Sequence, residues 1–324
     1  MPQKVEISHK TIIFTVLFLI LLWLVVQIKE IIFLIFVSFI LMSAFKPIIE
    51  MFEKLKISRV LSVIIIYLIL LASLAFLGST VLPPLITQSI HLGDKLPEYL
   101  STVLPMVKID VQMITSQVGP LGENILKVTL GLFSNIITIF TIFVISFYFL
   151  LERQYLEEHL SSFFGKDQAT ITIKIMEKVE EKLGAWVRGQ LLLGLTIWLF
   201  TFIGLLLLGI PYVLSLSIFA GIMEIVPIIG PIISAIPALL VALTYSPVLA
   251  LGTLALFFAI QQVEAHLIVP MVMKRAVGLP PVISIIALMV GAKLGGIMGA
   301  LLSVPVILTL TTTLTEYLHH KEKK

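Results

Sequence analysis

Five stretches between Thr11 and Gly209 are apolar over most of the length that a helix needs to cross a bilayer, and this leaves the chain few folds to choose from. They are Thr11–Ile28, Ile31–Phe45, Val60–Leu82, Thr129–Leu151 and Gln190–Gly209. A helix rises about 1.5 Å per residue and the hydrocarbon core is roughly 30 Å thick, so about twenty residues span it. Over all 324 residues, 59% are hydrophobic and 13% charged, which is about half the charge of an ordinary soluble domain. Surface grows too fast relative to volume for a water-soluble fold of this size to hide so much apolar side chain, so the excess faces lipid. The alternating ten-residue segments of a membrane β-barrel are absent. The expected fold is all-α, a polytopic integral membrane protein with about eight transmembrane helices.

The first run follows Lys4 and Lys10, as in a signal peptide, but it has no small-residue cleavage site and leads straight into the second run. It therefore reads as an uncleaved first helix, forming a tight hairpin with the second around Lys29 and Glu30. With the N-terminus inside, seventeen of the Lys and Arg residues fall on the cytoplasmic side and four on the outer side. Cytoplasmic loops collect these residues, so both termini are expected on the cytoplasmic side. The expected organisation is an N-terminal hairpin and third span over 1–82, an outer amphipathic segment over 83–128, and a fourth span over 129–151. A cytoplasmic amphipathic region over 152–189, a core of broken helices over 190–318 and a tail over 319–324 follow. In the cytoplasmic region Ile175, Val179, Leu183 and Trp186 recur at helical spacing. Such a helix either lies on the anionic inner leaflet or packs on the rest of the protein.

From Gly189 to Pro305 lie 12 of the 19 glycines and 9 of the 16 prolines, in the most apolar part of the chain. Both residues break helices, and broken backbone at membrane depth survives only where protein or a water-filled cavity satisfies the freed groups. Tyr212–Tyr245 is interrupted at Pro227, Gly230, Pro231 and Pro237, and Val282–Leu314 at Lys293–Gly296. Each is either a re-entrant hairpin or a pair of tilted spans. Within the second, Ala287, Gly291, Gly295, Gly299 and Ser303 fall four apart, the spacing of a small-residue face on which membrane helices pack closely.

Three segments resemble a known family. Val226–Leu243 (VPIIGPIISAIPALLVAL) looks like the Pro-Gly-Pro segment of the autoinducer-2 exporter family, the PerM-like permeases. Gln261–Pro270 (QQVEAHLIVP) with Gly278–Pro281 (GLPP) is similar to its next motif, and Gly291–Pro305 (GAKLGGIMGALLSVP) to its third. The resemblance covers nearly the whole chain. It implies a prokaryotic inner-membrane transporter that self-associates, exporting a small polar molecule such as autoinducer-2 or exchanging Na⁺ or Li⁺ for protons.

Glu224, Glu264, Lys274, Arg275 and Lys293 are the only Asp, Glu, Lys or Arg residues between Gly189 and Thr315. Lys274 and Arg275 sit beside an expected cytoplasmic end, which explains them. An ionisable group at mid-membrane costs about 2.5–3.5 kcal/mol to insert, so it usually faces a partner or a cavity. Glu224 precedes the Pro227-Gly230-Pro231 break, and Glu264 shares a helical face with Gln261, ahead of Pro270. Either carboxylate suits a coupled proton or Na⁺, helped by carbonyls freed at a broken helix. The structural alternative is a packing ion pair with Lys293. Trp23, Trp186 and Trp198 fit interface anchors. His266 reads as a hydrogen-bonded interfacial histidine rather than a proton relay.

No cofactor is expected. The chain has no cysteine, and no histidine pair has metal-ligand spacing, so no metal site is expected either. Phosphate-loop, His-Glu-x-x-His and Gly-x-Ser-x-Gly motifs are absent, so the chain is not expected to be an enzyme. Nucleic acid is not an expected partner; the lipid bilayer, a small polar solute or monovalent cation, and a second copy of the chain are. A rival reading is a membrane scaffold that works through its outer segment and cytoplasmic helix.

Overall fold

A computed structural model describes residues 9–76, 78–80, 83, 136–226, 229–276, 278 and 280–322. Apart from Pro83, the expected outer segment 83–128 lies outside the described residues, as do 129–135 and Pro227. Every regular element described is helical: α1 (His9–Gln27), α2 (Lys29–Lys54), α3 (Arg59–Thr80), α4 (Ile136–Glu152), α5 (Leu156–Phe164) and α6 (Lys166–Leu207), then α7 (Val213–Met223), α8 (Ile229–Tyr245), α9 (Pro247–Val263), α10 (Val269–Ala276) and α11 (Pro281–Glu322). Segments 10–27, 29–54, 59–80, 168–207, 247–273 and 282–321 are long and apolar enough to cross a bilayer, and α4, α7 and α8 are shorter apolar helices. The chain is an all-α polytopic membrane protein.

Its centre is α6, 42 residues long and so about 63 Å from end to end. That is twice the hydrocarbon thickness, so the charge-rich half up to Arg188 stands beyond the membrane in line with the span. The sequence suggested a separate cytoplasmic helix and span, but no residue between them breaks the hydrogen-bond ladder. The Val179, Leu183 and Trp186 face is buried against Ile40 of α2 and Leu302, Val304 and Leu308 of α11. It packs on protein rather than on lipid headgroups. On the span side, Ile197 and Leu205 of α6 form a second core with Leu216, Phe219 and Ala220 of α7, Ala238 and Ala242 of α8, and Phe257 and Ile260 of α9. A third core joins Met42 and Ile49 of α2 to Val63, Ile66 and Tyr67 of α3 and Leu150 of α4.

Two expectations are corrected. Around Lys29 and Glu30 the chain does not reverse: the Ile28 N–H still bonds the Leu24 carbonyl and the Ile32 N–H bonds the Ile28 carbonyl, each at 3.0 Å. With the ladder intact through Ile28, α1 continues into α2 with only a bend, and side chains from Ile12 to Val26 remain exposed. The five-rung ladder from Ala287 to Ser303 is likewise not one helix face. Gly295 (φ −132°, ψ 15°) and Gly296 (φ 59°, ψ −142°) leave the helical region, and α11 folds there into a hairpin. Gly291 and Gly299 then face each other across the turn in backbone contact, while a side chain at Gly295 would meet nothing within 4 Å. The first arm, 281–294, rises only about 21 Å, too short to span.

Candidate ion-coupling site

The site begins where α7 stops. Its 11 residues rise about 16 Å, half a membrane, and end at Glu224. Two tight hydrogen bonds, from the Ile225 N–H to the Ile222 carbonyl and from the Val226 N–H to the Met223 carbonyl, close the helix into a turn. The Gly230 N–H bonds the Val226 carbonyl at 2.8 Å and starts α8. Pro231 follows in the first turn of α8, where a missing N–H costs nothing. A methyl group on Gly230 would stand 2.0 Å from the Met223 carbonyl oxygen and 3.1 Å from the Glu224 nitrogen. Only glycine lets α8 leave so close to the end of α7, and this fixes the backbone that carries Glu224.

Glu264 is placed by a second irregularity. α9 runs to Val263 and then widens into a π turn over Glu264–Ile268, in which the Val269 N–H reaches back five residues to the Glu264 carbonyl. Such widened turns recur at functional sites because they re-aim one side chain without ending the helix. Pro270, exposed just beyond, has no N–H to continue the normal ladder. The Gln261 side-chain amide donates to Glu264 Oε2 at 3.4 Å.

Glu224 and Glu264 are 2% and 5% exposed, and their carboxyl groups face each other within interaction range. Glu224 Oε2 has no hydrogen-bond partner among the described residues. From α6, buried Gln190 donates its side-chain amide to the Glu224 main-chain carbonyl. One turn further along α6, Gly194 touches Gly221 of α7, where a side chain on either would meet the other's carbonyl at 2.6 Å. Two glycines thus let α6 and α7 approach closely enough for the Gln190 contact.

The structure therefore brings Glu224, Gln261, Glu264 and Gly230 together and adds Gln190, which no charge or helix break singles out in the sequence. Lys293 stays apart. It is exposed at the tip of the α11 hairpin and makes no salt bridge to either glutamate among the described residues. His266 is exposed, its Nδ1 3.0 Å from the Gln262 carbonyl. Gly291, Gly295 and Gly299 belong to the second hairpin, and Pro227 lies outside the described residues. Trp186 and the indole nitrogen of Trp198 are buried in the protein, while Trp23 is exposed. Among the described residues no group of acidic, histidine or cysteine side chains is arranged to hold a metal.

A broken helix and a π-widened one that bring carboxyl groups together inside a helical bundle fit a class, the polytopic membrane transporters with discontinuous helices. The chain belongs to the AI-2E transporter family, whose model matches residues 12–319. It is 31% identical over 307 residues to the candidate transport protein YueF of Bacillus subtilis (strain 168), covering 87% of this chain and 83% of that protein. A second candidate transport protein of the same organism, YrrI, is 26% identical over 318 residues, with 91% and 88% covered. A sodium-lithium/proton antiporter of Halobacillus andaensis is 22% identical over 277 residues, with 77% and 79% covered.

Proposed function

We propose that this protein is a secondary transporter of the prokaryotic cell membrane, with Glu224 and Glu264 as its coupling site for protons or a monovalent cation. The observation that carries the reading is the pairing of the two buried carboxyl groups, one where α7 ends and one at the π turn that follows α9. Two negative charges side by side and away from water repel strongly, so such a pair favours a bound counter-charge. A proton and an unhydrated Na⁺ or Li⁺ both meet that need, and exchange of one for the other couples their gradients. The cargo is a small polar solute moved outward, as the motif resemblance to the autoinducer-2 exporter family implies. Direct Na⁺(Li⁺)/H⁺ exchange is the second reading, favoured by the same carboxyl pair and by the antiporter relative. The Lys and Arg bias puts the Arg188 end of α6 in the cytoplasm, and Lys46 of α2, paired with Glu180 of α6, lies on the same side.

The test is transport in proteoliposomes that hold the purified protein and a pH-sensitive dye. A proton gradient is imposed and challenged with Na⁺, Li⁺ and K⁺, for the native protein and for Glu264→Gln. Cation-dependent dissipation that disappears in the variant supports exchange through the pair. No response to any cation removes the exchange reading. Proton-coupled efflux of a polar solute, lost in Glu224→Gln and Glu264→Gln, then decides the exporter reading.

A further inference from the structure

Arg59, the first residue of α3, donates from Nε to the Leu150 carbonyl near the end of α4 at 2.7 Å. Further along α3, the Tyr67 ring meets Phe143 and Phe147 edge to face, with centroids 5.4 and 6.3 Å apart. The two helices are therefore antiparallel neighbours, and between them opens a cleft of about 500 Å³. Ile64, Leu68 and Leu71 form one wall, and Phe140, Val144 and Tyr148 the other. Each set recurs at helical spacing, and all six side chains are exposed. The Tyr67, Phe143 and Phe147 rings lie deeper and make the floor.

Position and chemistry both say what fills it. The wall on α3 begins about 8 Å beyond Arg59 and ends about 18 Å beyond it, close to the depth of one leaflet, roughly 15 Å. The lining is apolar throughout, which suits a hydrocarbon chain and no polar solute. Its smallest side chain is valine, so it lacks the glycines and alanines through which a second helix would approach closely. At the shallow end stands a basic turn. Lys54, Lys56 and Arg59 occur there with no acid between them, and both lysines are exposed and in no salt bridge among the described residues. Of the acids at this level, Glu53 is taken by Arg59 at 3.3 Å, while Glu50 lies one turn back on α2 and Glu152 ends α4. Tyr148, amphipathic and exposed, sits at the same end of the cleft, where aromatic side chains meet headgroups.

We infer that the α3–α4 cleft is a binding site for an anionic phospholipid, with one acyl chain laid over Tyr67 and the phosphate held by Lys54 and Lys56. An apolar trough alone holds any lipid; the basic turn at its mouth selects a negative headgroup. The floor belongs to the core that joins α3 and α4 to Met42 and Ile49 of α2, so the bound chain seals that core from the lipid side. The site is independent of the carboxyl pair.

The test is photolabelling of the full-length protein in phosphatidylcholine vesicles, using phosphatidylglycerol with a diazirine midway along one acyl chain. Labelled residues are mapped by mass spectrometry, and α1, exposed from Ile12 to Val26, serves as the internal standard for ordinary boundary lipid. The expected label concentrates in 64–71 and 139–148, several-fold above α1. Unlabelled phosphatidylglycerol should displace it several-fold better than extra phosphatidylcholine, and Lys54→Gln with Lys56→Gln should erase that difference. Val144→Trp, which fills the cleft, should remove the label from 64–71 while α1 keeps its own, showing that the variant is inserted. Label spread evenly over α1, α3 and α4 overturns the proposal, as does equal displacement by the two lipids. A preference that survives the double lysine variant also overturns it. An unlabelled cleft in a protein that forms dimers, which Val144→Trp dissociates, gives the cleft to a second copy instead.

Discussion

Gly291 and Gly299 lie so close across the α11 hairpin that a methyl group on either would meet the other's carbonyl oxygen, at 2.3 and 2.1 Å. Backbone contact of this kind is how membrane helices gain packing energy when lipid offers no hydrophobic contrast. Alanine at either position must push the arms apart, at a cost of about 1–3 kcal/mol. Gly295→Ala meets nothing within 4 Å and keeps an ordinary φ of −132°, so it is tolerated. Gly296 sits at φ 59°, ψ −142°, a region that side chains avoid, and Gly296→Ala adds strain of about 1–3 kcal/mol. Thermal unfolding in detergent should therefore rank Gly295→Ala with the native protein and the other three variants below it. Equal losses for all four would contradict the hairpin.

At the other hairpin, Gly230→Ala is expected to be severe. Its methyl group would overlap the Met223 carbonyl at 2.0 Å, a backbone atom that cannot rotate away. Relief requires moving the start of α8, and with it the turn that carries Glu224. The variant should lose transport even where it still inserts, and proteolysis should cut it more readily near the α7–α8 turn. An Ala variant that transports normally would show that the α7–α8 junction is not held by this contact.

Gln190→Leu keeps the side-chain volume and removes the donor to the Glu224 carbonyl. A buried carbonyl left without its partner costs about 1–3 kcal/mol. The expected outcome is a lowered unfolding temperature and weakened transport. Gln190→Glu, which brings a third carboxyl group to the pair, should abolish transport. Unchanged flux in both variants would separate Gln190 from the site.

How far the site can be read from sequence follows from how each residue stands out. Glu224 and Glu264 are conspicuous because a carboxylate in an apolar run needs a reason, and Gly230 and Pro231 because they break what the apolar pattern would continue. Gln190 carries no charge and opens an ordinary span, so only its contact reveals it. Glu180 hides among Lys178, Glu181 and Lys182, where composition predicts a solvated face. Gly295 misleads because a spacing of four looks the same whether the helix continues or turns; only the backbone at Gly296 decides. The bend at Ile28 is hidden for a related reason, since Lys29 and Glu30 mark a polar point but nothing there forbids a helix. The length of α6 follows the same logic, because charge marks where a membrane ends and not where a helix does.

Glu180 carries the last prediction. Its carboxylate is 2% exposed and takes Lys46 Nζ of α2 at 2.7 Å and Arg153 Nε at 2.6 Å, with Glu177 3.9 Å from the same guanidinium. Nearby, Gly184 presses on the Ser43 carbonyl, where a side chain would stand 2.4 Å away, so α2 and α6 are already in backbone contact. One acid thus ties two other parts of the chain to the long helix. Removing one partner of a buried ion pair costs about 3–5 kcal/mol when the other charge is trapped. Arg153, 12% exposed, is nearly trapped, while Lys46, 27% exposed, can turn to water, so the loss for Glu180→Gln should fall towards the lower end. A full apolar replacement, Lys46→Met with Arg153→Met and Glu180→Met, leaves no orphaned charge and should unfold at a higher temperature than Glu180→Gln alone. If the triple variant proves the less stable of the two, the charges contribute net attraction and the desolvation argument fails. Proton flux in liposomes should persist in either variant that folds, because the triad lies on the charge-rich half of α6 and contacts neither glutamate of the pair.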